Sequence, residues 1–184
     1  MTRYLEAENL SKSFGSLLVI DNFNMHLDEG EALGIIGPNG AGKSTLFNLI
    51  AGTLRPNTGT VSFEGRDISH LPAHDRCRAG IARSYQIPHP FAGMTVFENL
   101  LVGGAFGGES GEAETYGFCV DILERTQLIG KANVLAGSLT LLERKRLELA
   151  RALATRPRIL MLDEIAGGLT EHEVDELIDL IREI

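Results

Sequence analysis

Near the N-terminus, apolar and polar residues alternate. Leu5 to Leu10 and Leu17 to Leu27 have the pattern of short, half-exposed antiparallel strands around a Lys12-Ser-Phe-Gly15 turn. Ala32-Leu-Gly-Ile-Ile36 differs: it is continuously apolar and runs straight into glycines, as a buried parallel strand would. A helix is predicted from Lys43 to Ala51 and stopped by Gly52. Thr60 to Phe63 and Gly80 to Gln86 are predicted strands. Helical patterns follow at about 95–102, 118–129 and 141–155. Residues 103–117 are rich in glycine and are expected to form a flexible loop between helices. Arg156-Pro157-Arg158 breaks the chain before a second apolar strand, Ile159-Leu-Met-Leu162. Val174, Leu177, Ile178 and Ile181 then fall on one face of a last helix.

This order is β, glycine turn, α, mixed β, a helical stretch, then β and α. It predicts an α/β fold in which a parallel-sheet core is interrupted by a helical insert, so that the core is discontinuous in sequence. Hydrophobic residues make up 43% of the 184 positions, enough to bury a core. A formal net charge of −8 argues against a protein that coats nucleic acid. Cys77 and Cys119 are far apart in sequence and suggest neither a disulfide framework nor a zinc site. The first residues carry acids early and lack the apolar stretch of a signal peptide. No apolar run reaches the roughly 18–20 residues that span a bilayer. A membrane role is therefore expected to come through a partner.

Gly37-Pro-Asn-Gly-Ala-Gly-Lys43-Ser44 satisfies G-x-x-x-x-G-K-[ST] and sits between an expected strand and a helix. Glycines let backbone N–H groups converge on a phosphate chain, and the helix that starts there adds its positive end. Lys43 is placed to reach the β- and γ-phosphates, and the Ser44 hydroxyl to ligate Mg²⁺. Asp163-Glu164 follows the second apolar strand, at the strand end where α/β sheets bind ligands. Successive strand residues face opposite ways, which lets the two acids divide the work. Asp163 is expected to hold Mg²⁺ and Glu164 to polarise an attacking water. The bland alternative is an acid pair that solvates a strand end or caps a helix.

Gln86 ends a predicted strand, either touching the metal or the water there or standing as a solvated loop residue. Phe14 either stacks on a base or packs in the core beside the first hairpin. Thr140-Leu-Leu-Glu143 is a capping box and starts a helix near Thr140, which gives a second candidate anion site. On that helix Leu142, Leu149 and Leu153 mark the expected buried face. Arg144, Lys145, Arg146 and Arg151 mark an expected solvated one. The five histidines show no metal-ligand spacing and are expected at the surface. No N-K-x-D or T-K-x-D sequence supports a guanine pocket.

These residues together resemble the ATP-binding subunits of ABC transporters. The resemblance runs nearly end to end: an aromatic A-loop position at Phe14, Walker A at 37–45, a Q-loop at Gln86, and Walker B with its glutamate at 159–164. A D-loop falls at Gly167-Gly-Leu-Thr170. Gly80 to Gln86, Met94 to Leu101 and Arg146 to Leu153 look most like the branched-chain amino acid importers.

The resemblance implies a P-loop NTPase (RecA-like) core with an antiparallel β subdomain and an inserted α-helical subdomain. Residues 1–86 and 156–184 would form the nucleotide-binding core, and 87–155 the helical part. It implies ATP and Mg²⁺ as ligands. Phe14, Ile20, Gly37, Pro38, Asn39, Gly40, Ala41, Gly42, Lys43, Ser44, Thr45 and Thr140 would bind nucleotide. Ser44, Gln86 and Asp163 would bind metal, and Glu164 and Gln86 would act in catalysis. It also implies a second ATPase subunit, integral membrane permease subunits, indirectly a solute-binding protein, no nucleic acid, and a peripheral place on the cytoplasmic face of the cell membrane.

Three departures from the family pattern stand out. The signature L-S-G-G-Q is Leu139-Thr-Leu-Leu-Glu143 here, and Ile165 replaces the usual proline. The family's switch histidine lies on a strand beyond the last helix, so the chain is expected to be C-terminally truncated. The competing readings are a soluble ABC ATPase not tied to transport, a small-molecule P-loop kinase, and a non-catalytic nucleotide-binding partner in an asymmetric pair.

Overall fold

A computed structural model of the chain describes residues 3–85, 88–107 and 112–183. The chain divides into two compact units, Met1–Arg76 and Cys77–Ile184.

In the first unit, β1 (Arg3–Phe14) and β2 (Leu17–Asp28) form a long hairpin. The turn is Gly15-Ser16, two residues later than the sequence pattern placed its centre. β3 (Thr58–Phe63) pairs with the other edge of β1, and the two-residue β4 (Arg66–Asp67) pairs with β3. The order is β2-β1-β3-β4, antiparallel throughout. Leu5 and Ala7 point inward, and so does Leu10 rather than Asn9. A register shift between Ala7 and Leu10 explains the change of parity, with Asn9 at φ 50.

Helix α1 (Lys43–Ala51) has the predicted bounds and ends at Gly52, φ 79. It buries Leu46, Leu49 and Ile50, the i, i+3, i+4 stripe. Its last turn holds a feature the sequence did not announce. Arg76, from the short helix α2 (Ala73–Arg78), is fully buried. It donates to the carbonyls of Leu49 at 2.7 Å and Ile50 at 2.8 Å, and to those of Ser69 and Leu71 at 3.0 Å each. A guanidinium thus satisfies carbonyls that a helix end leaves orphaned, and sets positive charge at the negative pole.

The apolar run Ala32–Ile36 is not a strand. It joins no ladder among the described residues, Leu33 is 47% exposed and Ile36 is 98% exposed. Strand conformation needs a hydrogen-bonding neighbour as well as apolar side chains. The four strands of this unit hydrogen-bond to one another and leave 32–36 without one.

The second unit pairs β5 (Ile81–Arg83) in parallel with β6 (Ile159–Met161), Ile81 opposite Ile159 and Arg83 opposite Met161. Helices α3 (Val96–Gly107), α4 (Glu112–Arg125) and α5 (Leu141–Ala154) enclose a core that includes Leu100, Ile122, Leu123 and Leu147. The glycine-rich stretch is therefore largely helical, with residues 108–111 outside the described set. Gly103, Gly104 and Gly107 serve close packing. A Cβ at Gly103 would lie 2.8 Å from the Arg151 carbonyl oxygen, and one at Gly107 would lie 2.5 Å from Thr155 Cβ.

Helix α6 (Glu171–Glu183) buries Leu177 and Leu180 against Leu149, while Ile178 is 39% exposed. The inward face is thus rotated from the predicted one, with Leu180 in place of Ile178. On α5, Leu147 and Leu149 are buried while Leu142 and Leu153 are half-buried. The basic stretch is not a solvated face, since Lys145 is 5% exposed and Arg146 pairs with Glu176 of α6 at 2.6 Å. The buried Glu148 of α5 and the partly exposed Glu176 of α6 give these cations partners, the second of which a helical wheel of α5 alone does not show. No described helix is long and apolar enough to cross a membrane.

Candidate functional site

The glycine loop belongs to the first unit. Gly40 (φ 83) and Gly42 (φ 89) take left-handed conformations, and Gly42 immediately precedes α1. Gly42 is doubly constrained. A Cβ there would also approach Ile20 Cδ1 to 2.9 Å and the Val19 carbonyl oxygen to 3.1 Å. Buried Ile20 on β2 therefore fixes the loop's height above the sheet. The first turn of α1 contains no acid and has no side-chain cap, so its N–H groups remain available to an anion.

Lys43 lies across the loop, donating to the carbonyl of Gly37 at 2.6 Å and of Pro38 at 3.0 Å. Ala41 N donates to the Pro38 carbonyl at 3.2 Å, closing the turn that carries Asn39. Ser44 is exposed and Thr45 half-buried in the first turn of α1. Phe14 ends β1, 47% exposed, with the Lys12 ammonium 5.4 Å from its ring centre. An open glycine cradle, a cation held by backbone oxygens and an uncapped helix start fit a phosphate chain with its counter-ion at Ser44.

The acid pair belongs to the second unit. Asp163 is 5% exposed, and its Oδ2 accepts from Arg83 of β5 at 2.8 Å. Arg83 also lies 5.2 Å from the ring centre of Tyr85. Glu164 is exposed at φ 45, an uncommon conformation for a residue with a Cβ. The two acids thus stand in opposite environments, one buried and ion-paired, the other open. Gln86 lies outside the described residues.

Thr140 caps α5. Its hydroxyl accepts from Glu143 N at 3.3 Å, and the Glu143 carboxylate accepts from Thr140 N at 2.9 Å, so both halves of the capping box are made. Glu143 also meets Lys131 Nζ at 3.1 Å. The Thr140 amide and then Lys131 hold its carboxyl below the ordinary glutamate range. Thr95–Glu98 before α3 and Thr170–Glu173 before α6 repeat the same exchange. The T-x-x-E pattern stands in the sequence at all three helix starts.

Sequence reasoning also missed a polar cluster beneath the acid pair. Lys145 and Glu148 of α5 are 5% and 7% exposed. With Ser84, Tyr85, Leu149 and Leu162 they line a small cavity. Burial lowers the Lys145 pKa, opposed by the charges of Glu148 and Glu164. Burial raises that of Glu148, opposed mainly by Arg151. Lys145 and Glu148 stand three apart in a basic helix, which was the available signal.

Residues 20–167 match the profile of the family described as ABC transporter. The chain belongs to that family. It is an ABC ATP-binding subunit, and members of the family hydrolyse ATP to drive transport. It is 39% identical over 194 aligned residues to the high-affinity branched-chain amino acid transport ATP-binding protein BraF of Pseudomonas aeruginosa, covering 98% of this chain and 76% of that one. LivG of Escherichia coli, described in the same words, is 38% identical with the same coverage. The lipopolysaccharide export system ATP-binding protein LptB of Haemophilus influenzae is 33% identical, over 98% of this chain and 75% of its own. Among solved structures, the ATP-binding cassette MJ1267 in its ADP conformation superimposes with a TM-score of 0.90 at 34% identity. The match covers 100% of this chain and 77% of that one. The family assignment displaces the small-molecule kinase reading. The ABC ATP-binding subunit thus has its P-loop NTPase fold class from its neighbours and its loop geometry from its own residues.

Proposed function

We propose that this chain powers the movement of branched-chain amino acids, or a similar small solute, through integral membrane permease subunits at the cytoplasmic face of the cell membrane. The observation that supports the solute is the identity of 39% to BraF across 98% of the chain.

In this reading Gly37 to Thr45 grip the nucleotide phosphates and Phe14 and Ile20 wall the base. Lys43 exchanges its bonds to the Gly37 and Pro38 carbonyls for phosphate oxygens. Ser44, Asp163 and Gln86 would hold Mg²⁺, which neutralises phosphate charge when bound. Arg83 keeps the buried Asp163 carboxylate compensated, and Glu164 polarises the water that attacks the γ-phosphate. The nucleotide-binding core, residues 1–86 and 156–184, and the helical part, 87–155, act with a second ATPase subunit, and a solute-binding protein delivers the cargo.

The test is uptake of labelled leucine by vesicles carrying the assembled transporter. Uptake that needs ATP and disappears with Lys43→Ala is expected. Hydrolysis that drives a different solute would remove the amino acid assignment and leave the motor.

A second reading concerns the signature segment. In the family this segment meets the partner's ATP. Here Thr140 and Glu143 satisfy each other, and Leu141 is 43% exposed where the family has backbone to offer. We infer that this chain's own signature is a weak half-site and that the isolated chain is a slow ATPase. A partner with an intact signature should raise phosphate release. A fast isolated chain, indifferent to that partner, would overturn this.

A further inference from the structure

Lys12 and Phe14 stand two residues apart at the end of β1. The Lys12 ammonium lies over the Phe14 ring, 5.4 Å from its centre, and donates to the Arg55 carbonyl at 2.7 Å. Further bonds join the same two stretches of chain. Ser13 N donates to Asn57 Oδ1 at 2.7 Å, and Asn57 N donates to the Ser11 carbonyl at 2.9 Å. Residues 55–57 belong to the passage from α1 to β3. That passage is tied back to α1, where Leu54 N donates to the Asn48 carbonyl at 3.1 Å. The end of β1 is thus laced to the chain that leaves the helix of the glycine loop.

The other strand of the hairpin meets the front of that helix. Lys12 pairs with Ile20 and Ser13 with Leu18, so the register shifts by one and Val19 is the extra residue. Val19 and Ile20 are the residues that a Cβ on Gly42 would strike. The aromatic tip and the glycine loop are therefore related through both ends of α1, and backbone sets the span between them.

Backbone fixes where Phe14 sits but not how its ring is turned. Phe14 is 47% exposed, and an exposed side chain changes rotamer within nanoseconds. A ring that must present one face to a flat ligand loses that freedom on binding, which costs affinity. A cation over one face restrains the ring beforehand and leaves stacking to the opposite face. Here the cation is itself anchored, on a backbone oxygen.

We propose that Lys12 is a positioning residue for the nucleotide base: anchored on the Arg55 carbonyl, it presets the Phe14 ring against which a heteroaromatic base stacks. The inference rests on the proposed role of Phe14 as a wall for the base. Lys12 acts through the ring, so its effect falls on the base half of the ligand and not on the phosphate half.

Calorimetry on the full chain with two probes, Mg-ATP and magnesium tripolyphosphate, separates the halves. Lys12→Met keeps the stem and removes the charge. It should weaken ATP binding about two- to fivefold, the worth of an exposed cation–ring contact, and leave tripolyphosphate binding unchanged. Lys12→Arg, which can donate to the carbonyl and stack on the ring, should restore ATP binding. In a Phe14→Ala background, Lys12→Met should have no further effect. Equal losses for ATP and tripolyphosphate would overturn the proposal, because the ammonium would then act on phosphate charge. An undiminished effect of Lys12→Met in the Phe14→Ala background would overturn it as well. If Phe14→Ala weakens ATP binding while Lys12→Met does not, the base wall stands and the role of Lys12 falls. If Phe14→Ala leaves ATP binding unchanged, both fall together.

Discussion

Arg83 and Asp163 face each other across the parallel pair β5–β6, 2.8 Å apart, with each side chain 7% exposed. The acid expected to hold the metal is thus already compensated by a cation from the neighbouring strand. Removing one member of such a pair leaves a buried charge alone. Arg83→Met should destabilise the chain by about 3–5 kcal/mol. Arg83→Met combined with Asp163→Leu should recover most of that loss, since well-packed apolar replacements of a buried pair are often neutral. Urea denaturation of both variants measures it. Equal instability of the single and double variants would show that the pair is not the cause.

Lys43 has backbone oxygens as its hydrogen-bond partners. Its loss removes two charge-assisted contacts to phosphate, each worth roughly 1.5–3 kcal/mol. Lys43→Ala should therefore weaken Mg-ATP binding by about a hundredfold or more in calorimetry. Unchanged affinity would refute the phosphate-loop assignment.

Glu164 is open where Asp163 is buried. Glu164→Gln should lower kcat by about 10²–10⁴-fold, the usual contribution of a general base. Its effect on ATP affinity should stay within a few fold. Single-turnover hydrolysis and nucleotide titration separate the two. Parallel losses would make Glu164 a binding or structural residue.

The capping box of α5 predicts a pH dependence. The Glu143 carboxyl is held below its ordinary value of 4.5, so the folded chain gives up this proton at a lower pH than the unfolded chain. Its stabilisation is complete above the ordinary value and is lost as pH falls through the folded one. Urea midpoints of the parent and Glu143→Gln should converge as pH falls below the ordinary glutamate value, and differ at neutral pH. Thr140→Ala should cost about 1 kcal/mol at neutral pH.

Arg76 donates to four backbone carbonyls, two of them in the last turn of α1. Arg76→Met keeps much of the bulk and strands those oxygens. A loss of at least about 3 kcal/mol is expected, since each bond to a charged donor contributes roughly 1.5–3. Thermal unfolding monitored on the first unit gives the answer, and a shift within error would reassign the residue to simple filling.

The sequence and the structure agree best where the signal is local. Helix α1 begins at Lys43 and ends at Gly52 because the glycines that bound it act within a turn of it. The Thr140–Glu143 box is equally self-contained. Agreement fails where a distant neighbour decides. Ala32–Ile36 has the composition of a buried strand, yet it pairs with none of the four strands of its unit. Gly103 and Gly107 have loop composition and lie in a helix, because the surface of α5 comes close enough to exclude a side chain. Lys145 was expected on a solvated face, and nothing local marked Arg76 or Glu148 as buried, because the burial of all three is decided elsewhere in the fold. In the candidate site, Gly42, Lys43 and the acid pair were legible as a motif. The Arg83 partnership and the burial of Glu148 were not, for they exist only once β5, β6 and α5 are assembled.

The glycines of α3 have a consequence for how the helical part can change over time. At Gly103, Gly104 and Gly107 added Cβ atoms would come within 2.8, 2.7 and 2.5 Å of α5, α4 and Thr155. Contacts made by bare backbone carry no rotamer freedom that folding must freeze. At Gly103 and Gly107 the atoms in the way include main chain, the Arg151 carbonyl oxygen and the Thr155 Cα, which cannot swing aside as the Thr115 methyl facing Gly104 can. Mutation cannot then adjust the spacing of these helices in small steps, because the first methyl group already forces main chain apart. Variation should therefore collect on the outward faces of α3 and α4, around Phe106 and Tyr116, which are 73% and 45% exposed.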